Sequence, residues 1–100
     1  MAKLDQAALT EAIVGVTGAT PDPSGAADLV YDKGNIVVAA DPKDYKAAFK
    51  RLKKVDGYRW LVINRADLFA ANNLSIGSKA GIMDQDGKIL KQADLPRQKM

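Results

Sequence analysis

Residues 41–63, DPKDYKAAFKRLKKVDGYRWLVI, contain the best-defined helix of the chain and, directly after it, a strongly apolar strand. Asp41 fits the N-cap of a helix, and Pro42 fits the first helical position, where its missing N–H leaves no hydrogen bond unmade. The pattern predicts a helix that begins there and ends near Val55. Residues 58–63 are apolar on both faces, which predicts a strand in the centre of a sheet.

The predicted helix divides its surface between apolar and basic side chains. Ala48, Phe49, Leu52 and Val55 fall in one arc with Tyr45 when each residue advances by about 100° around the axis. Cations cover the opposite side, and we predict that they form the partner-binding surface of the protein. These cations are Lys43, Lys46, Lys50, Arg51, Lys53 and Lys54.

Three interpretations of this cationic surface stay open. It can dock on an acidic protein surface, including the acidic half of a second copy of the chain. It can follow the phosphates of a nucleic acid, with each Lys as a point charge and Arg51 as a bidentate donor. It can also be a solvated face that keeps the protein in solution. Tyr58 and Trp60 would add stacking platforms for bases, but Trp60 stands in an apolar run, which favours burial.

Towards the N-terminus, the pattern predicts one helix and one hairpin. Apolar residues recur at helical spacing over residues 4–16, and residues 17–26 predict a loop because they are rich in Pro, Gly, Ser and Asp. Residues 29–38, LVYDKGNIVV, predict a β-hairpin. Gly34 supplies the positive φ that its turn requires.

Towards the C-terminus, the pattern predicts a short helix over residues 65–71 that ends at the Asn pair of residues 72–73. A second hairpin follows, with strands at residues 76–83 and 88–90 on either side of the turn sequence DQDG. The tail from residue 93 onwards is polar and lacks periodicity.

The predicted element order is therefore α-β-β-α-β-(α)-β-β. It predicts an α+β fold with a mainly antiparallel sheet of about five strands and two to three helices, which pack on one face. A parallel crossover through the helix of residues 42–55 is compatible with this order. Length predicts one domain, residues 1–92, followed by a polar C-terminal tail, residues 93–100.

Composition excludes several kinds of chemistry. The 100 residues include no Cys and no His, which removes disulfides, thiolate nucleophiles and the usual ligands of zinc and haem iron. The turn of residues 84–87 lacks the carboxylate spacing of a calcium-binding loop. Ser75, Ser78 and Lys79 are close in sequence but miss the Ser-x-x-Lys spacing. We therefore expect no catalytic residue, no metal and no cofactor, in a protein that is not an enzyme.

Charge is distributed unevenly along the chain. Residues 1–42 hold two basic and six acidic side chains, whereas residues 43–100 hold 13 basic and six acidic ones. Such polarity favours docking on a charged partner. The expected partners are other protein subunits, including copies of the chain itself. Nucleic acid is a secondary candidate, and no membrane is expected because no run approaches the roughly 18 apolar residues of a span.

These features predict a non-catalytic structural or adaptor protein that docks into a larger multi-subunit assembly. A phage-type virion fits, with the chain as a capsid-decoration, connector-like or accessory protein. The alternatives are a small basic nucleic-acid-binding protein that uses residues 43–54, and a phage-type inhibitor of a host protein. The N-terminus has no signal-peptide hydrophobic region, so the expected location is cytoplasmic or virion-associated, without secretion by a signal peptide.

Overall fold

The computed structural model describes residues 3–55, 57–76 and 78–93, which form three helices and six strands. Short 3-10 turns, Pro42–Asp44 and Arg65–Asp67, lead into the second and third helices. The helices are α1 (Gln6–Thr17), α2 (Tyr45–Leu52) and α3 (Leu68–Ser75). The strands are β1 (Thr20–Pro21), β2 (Leu29–Tyr31), β3 (Gly34–Val38), β4 (Arg59–Val62), β5 (Gly81–Met83) and β6 (Ile89–Lys91).

The six strands form one mixed sheet in chain order. β1–β2, β2–β3 and β5–β6 are antiparallel, whereas β3–β4 and β4–β5 are parallel. The predicted order of elements is confirmed, with β1 added inside the segment predicted as a loop. The expected sheet of about five strands, mainly antiparallel, is confirmed in part. The sheet has six strands among the described residues, and two of its five pairings are parallel because α2 and α3 are crossovers that return the chain to the same end of the sheet.

Helices cover both faces of the sheet, and the prediction that they pack on one face is wrong. Leu9 and Ile13 of α1 pack with Ile36, Trp60 and Met83 on one face. The alternate residues of the same strands face α2 and α3 on the other side. Consecutive apolar residues in β3 and β4 require this cover, since neighbouring side chains in a strand point to opposite faces. The residues on the α2–α3 side are Val37, Leu61 and Ile82 of the strands, with Ala39 and Ile63 directly after β3 and β4.

The ends of α2 agree only in part with the prediction. Asp41 caps the segment by accepting a hydrogen bond from the backbone N–H of Lys43 at 3.0 Å. The first turn is 3-10, however, and the α-helix itself spans Tyr45–Leu52, shorter than residues 42–55. A turn follows the helix, and Val55 is buried as predicted.

The structure changes the boundaries around α3 and β5. α3 continues past the Asn pair to Ser75, because Ala71 and Ser75 both face the core while Asn72 and Asn73 point outwards. β5 is limited to three residues at the end of the predicted strand. The tail predicted for residues 93–100 lies outside the described residues apart from Ala93, which packs against the α1-side core.

Candidate functional site

The predicted cations are all exposed, but the structure divides them between different sides of α2. Arg51 faces the segment that leads into β2, where its Nη1 lies 2.9 Å from Oδ1 of Asp28 and its Nη2 donates to the backbone carbonyl of Ala26 at 3.3 Å. Lys46, Lys50 and Lys53 line the side that faces α3. Lys43 precedes the helix and Lys54 follows it, and neither is among the residues that line the space between α2 and α3.

A groove with a volume of about 690 Å³ separates the three lysines from the end of α3. Phe49 and Ser78, both buried, lie at its base. The wall opposite the lysines is apolar, with Leu74 41% exposed and Ile76 75% exposed. We call this surface the α2–α3 groove, and its lining residues are Lys46, Phe49, Lys50, Lys53, Leu74, Ile76 and Ser78.

Among the described residues, no carboxylate forms an ion pair with a lysine of the α2–α3 groove. Within residues 3–55, 57–76 and 78–93, the ion pairs are Lys3–Asp67 and Arg51–Asp28, and neither involves a groove lysine. Lys46 and Lys50 are four residues apart, a spacing at which like charges destabilise a helix by about 0.2–0.5 kcal/mol. The groove therefore combines an apolar wall with a row of ammonium groups that is free to meet an anionic partner.

The groove residues outside the predicted binding set are Phe49, Leu74, Ile76 and Ser78, of which Leu74 and Ile76 form the exposed apolar wall. The sequence pattern ended the helix before Leu74 and placed Ile76 at the start of a strand. Leu68, Ala71 and Ser75 follow each other at helical spacing on the buried side of α3, and this spacing is the signal for the longer helix. Leu74 falls off that buried face and is left at the surface.

A serine–lysine pair is present, but not at the residues considered from the sequence. The Nζ of Lys91 on β6 donates to the Oγ of Ser75 at 2.6 Å. The Ser75 hydroxyl donates in turn to the backbone carbonyl of Asn72 at 2.8 Å, and Ser75 is fully buried. A nucleophile needs an approach path for its substrate, which this hydroxyl lacks. The contact instead ties β6 to the C-terminal end of α3, where a cation is favourable.

The aromatic residues of β4 and its approach do not form a stacking surface. Trp60 is buried, as the sequence predicted, and its indole N–H donates to the backbone carbonyl of Lys33 at 2.9 Å. Tyr58 is 37% exposed and lines a recess together with the buried Trp60. Base stacking needs exposed rings next to one another, so this face provides little for a nucleic acid.

The DQDG segment forms the predicted hairpin turn. Oδ1 of Asp84 accepts hydrogen bonds from the N–H groups of Asp86 at 2.9 Å and Lys88 at 3.0 Å, and Gly87 has a φ of 77°. Asp84 is therefore held by its own turn. In the part of the chain that the structure describes, no group of three or more Asp or Glu residues is placed to hold a metal ion.

The carboxyl ends of the parallel strands, where open α/β sheets usually bind ligands, are closed by the chain itself. Asn64 bonds to both the N–H and the carbonyl of Leu4, each at 2.9 Å. Gln6 bonds to the carbonyl of Val38 at 2.6 Å and to the N–H of Ala40 at 2.9 Å. We take the α2–α3 groove as the candidate site because three of the predicted lysines line it.

Of the helices formed by the described residues, none has the length and apolar character needed to cross a bilayer. Set against models of known protein families, curated proteins and solved structures, the chain matches none of them.

Proposed function

We propose that the protein is a non-catalytic adaptor that docks on a partner protein through the α2–α3 groove. One observation carries the proposal: three lysines without ion-pair partners among the described residues face two exposed apolar side chains across the groove. The matching ligand is a protein segment that presents acidic and apolar side chains together. Apolar burial supplies affinity, and the lysines speed association and select for negative charge.

A protein partner uses the groove more completely than a nucleic acid does. Phosphates would engage the lysines but leave Leu74 and Ile76 in water, and burying a side chain of this size contributes about 1.5–3 kcal/mol. Arg51, the residue suited to bidentate phosphate contact, lies on the other side of the helix beside Asp28. These features favour protein over nucleic acid.

The setting that we propose is a multi-subunit assembly of the phage-virion type, with the protein cytoplasmic before it joins the particle. Small size and the separation of acidic and basic sequence support a docking role. Blocking of a host protein would use the same groove and the same chemistry. The two settings differ in the identity of the partner, not in how this surface binds.

A direct test uses a fluorescent helical peptide in which Glu and Leu form adjacent stripes, with binding followed by anisotropy. We expect binding that weakens at least about tenfold in the double variant Lys46→Ala/Lys50→Ala. The matched control is Lys43→Ala/Lys54→Ala, which removes the same charge from the ends of the helix and is expected to change affinity less than about twofold.

Two further probes decide between the classes of partner. A peptide with Ser in place of Leu keeps the charge. We expect it to bind far more weakly because it buries no apolar surface against Leu74 and Ile76. A single-stranded oligonucleotide tests the alternative. If the oligonucleotide binds more tightly than the Glu–Leu peptide, and both lysine pairs matter equally, the adaptor proposal is wrong and the nucleic-acid function replaces it.

A further inference from the structure

We propose that the outer face of α3 binds the surface of an anionic lipid bilayer, as a second binding activity of the protein. The sequence predicted no membrane because it lacks a segment long enough to span one, and this inference departs from that prediction. Contact with a bilayer surface needs no span, only an exposed apolar face with cations beside it. The inference does not rest on the proposed function, because its central residue lies outside the α2–α3 groove.

The outer face of α3 carries two large apolar side chains that face the solvent. Phe69 is 85% exposed and Ile76 is 75% exposed, the highest values among the exposed large apolar side chains of the described residues. At about 100° per residue, Phe69, Asn73 and Ile76 fall within an arc of about 60°. The buried Ala71 and Ser75 lie on the opposite side of the helix. We call Phe69, Asn73 and Ile76 the α3 ridge.

The shape of the α3 ridge favours a bilayer over a protein. Phe69 projects from the helix and is not among the residues that line the groove, so a ligand in the groove leaves it in water. A protein would have to provide a pocket of matching shape for this ring. Acyl chains are fluid and rearrange around any apolar side chain. The ridge therefore fits a bilayer without shape complementarity.

Cations border the α3 ridge. Three lie on α2 across the groove, and two exposed ones precede and follow α3 in the chain. Among the described residues, none of the five forms an ion pair. Asp67 is the one acidic residue between residues 57 and 83, and it pairs with Lys3. An anionic surface is therefore favoured over a neutral one. The bordering cations are Lys46, Lys50, Lys53, Arg65 and Lys79.

The ridge and the cations act together at a bilayer. Phe69 and Ile76 enter the boundary between headgroups and acyl chains, as apolar side chains of surface-bound helices do. Lysine side chains reach the headgroup phosphates while their methylene stems lie on apolar surface. Because α1 packs on the other face of the sheet, it points away from the lipid in this orientation.

Co-sedimentation of the full chain with lipid vesicles tests the inference. Vesicles of phosphatidylcholine with about 30% phosphatidylglycerol are compared with phosphatidylcholine alone, and we expect at least about tenfold tighter binding to the anionic vesicles. Phe69→Ala should weaken that binding at least about tenfold, because less apolar surface enters the bilayer. The matched control is Val16→Ala, which shortens an exposed apolar side chain at the end of α1 and should change binding less than about twofold.

Two further variants test the charge and the insertion. Lys50→Ala should weaken binding about fivefold, whereas Lys33→Ala, beside Val16 on the other side of the molecule, should change it less than about twofold. In Phe69→Trp, the new indole should shift its emission to shorter wavelength when anionic vesicles are added. The wild type is the control, since Trp60 is buried and should not respond. Circular dichroism establishes that each variant is folded.

The possible outcomes separate this inference from the proposed function. Wild-type protein that stays in the supernatant at about 1 mM anionic lipid, the range of weak association, overturns it. Equal binding of wild type and Phe69→Ala to the vesicles also overturns it, because charge alone then explains adsorption. Phe69→Ala should bind the Glu–Leu peptide as the wild type does. Peptide binding without vesicle binding supports only the adaptor function, and vesicle binding that depends on Phe69 without peptide binding supports only the bilayer contact.

Discussion

Tyr45 is fully buried, and its hydroxyl oxygen has no hydrogen-bond partner among the described residues. An unsatisfied buried polar group costs about 1–3 kcal/mol relative to its hydrated state. We therefore expect Tyr45→Phe to raise the free energy of unfolding by about 1 kcal/mol, measured by urea denaturation. Tyr31→Phe is the control, since the Tyr31 hydroxyl lies 3.9 Å from the sulfur of Met83 and is partly exposed. A loss of stability in Tyr45→Phe would show that a buried water satisfies the hydroxyl.

Alkaline pH provides a second test at the same residue. Burial raises the pKa of the Tyr45 hydroxyl above its ordinary value of 10.0, and the charges of Asp67 and Asp41 raise it further. Above pH 10 the unfolded chain loses this proton while the folded protein keeps it, so the unfolded state binds fewer protons. The free energy of unfolding should fall by about 1.4 kcal/mol per pH unit from this group. Plotted against pH, the free energy of unfolding of the wild type should run parallel to that of Tyr45→Phe below pH 9 and fall relative to it above pH 10. Parallel plots at every pH would contradict the prediction.

At Gly34 the sequence predicts the backbone conformation but not the tertiary contact. The turn sequence predicted a positive φ, and the structure has a φ of 130° there. A second constraint was hidden, because a Cβ at this position would lie 2.5 Å from the backbone oxygen of Tyr58. That contact comes from the parallel pairing of β3 with β4, which local sequence does not encode. Local conformation was predictable here, and the tertiary contact was not.

At the scale of elements, helix caps and apolar periodicity were predictable from the sequence. The pairing of strands and the surfaces that the helix residues face were not. The N-cap Asp41 and the central strand β4 follow from residue types and spacing, and the structure confirms both. The direction of β5 does not follow from residue types and spacing. A strand of three residues has the same sequence pattern whether it pairs in parallel or antiparallel. The same limit applies to the cationic surface. Only the packing of α2 shows that Arg51 turns towards Asp28 and that three lysines face α3.

The lysine row of α2 lowers the stability of the helix and at the same time provides the proposed binding surface. Lys46 lies at the second position of the helix, where a cation opposes the helix dipole, and it stands four residues before Lys50. Lys46→Glu should therefore raise the free energy of unfolding by about 0.5–1 kcal/mol, through the dipole and a new pair with Lys50. The same change should weaken binding of the Glu–Leu peptide.

Salt and a neutral variant check this interpretation. Lys46→Gln removes the repulsion without adding a pair, so its gain should be smaller than that of Lys46→Glu. Both gains should shrink in about 1 M salt, where the screening length is near 3 Å. If the wild type and both variants have the same free energy of unfolding at low salt, the lysine row does not destabilise the fold.

On the scale of the whole molecule, one buried side chain joins the N-terminal segment to the ends of the strands. Asn64 follows β4, is almost fully buried, and makes three hydrogen bonds, two to Leu4 and one to the carbonyl of Ala40 at 3.2 Å. Lys3 adds an ion pair with Asp67 at 3.0 Å. α1 begins directly after this anchor, so its position on the sheet depends on these contacts.

Asn64→Ala should therefore loosen α1 as well as lower global stability. Removing the amide leaves the backbone groups of Leu4 and Ala40 without their partner, and we expect the free energy of unfolding to fall by about 2–4 kcal/mol. Amide hydrogen exchange should accelerate throughout α1 more than in α2, which is held on the opposite face by a separate core. Asp67→Asn is the control, since it removes the partly exposed pair with Lys3 and should cost less than about 1 kcal/mol. Uniform acceleration in α1 and α2 would mean that the two faces unfold as one unit and that Asn64 contributes only to global stability. A selective effect on α1 would show that the N-terminal anchor holds this helix on its face of the sheet.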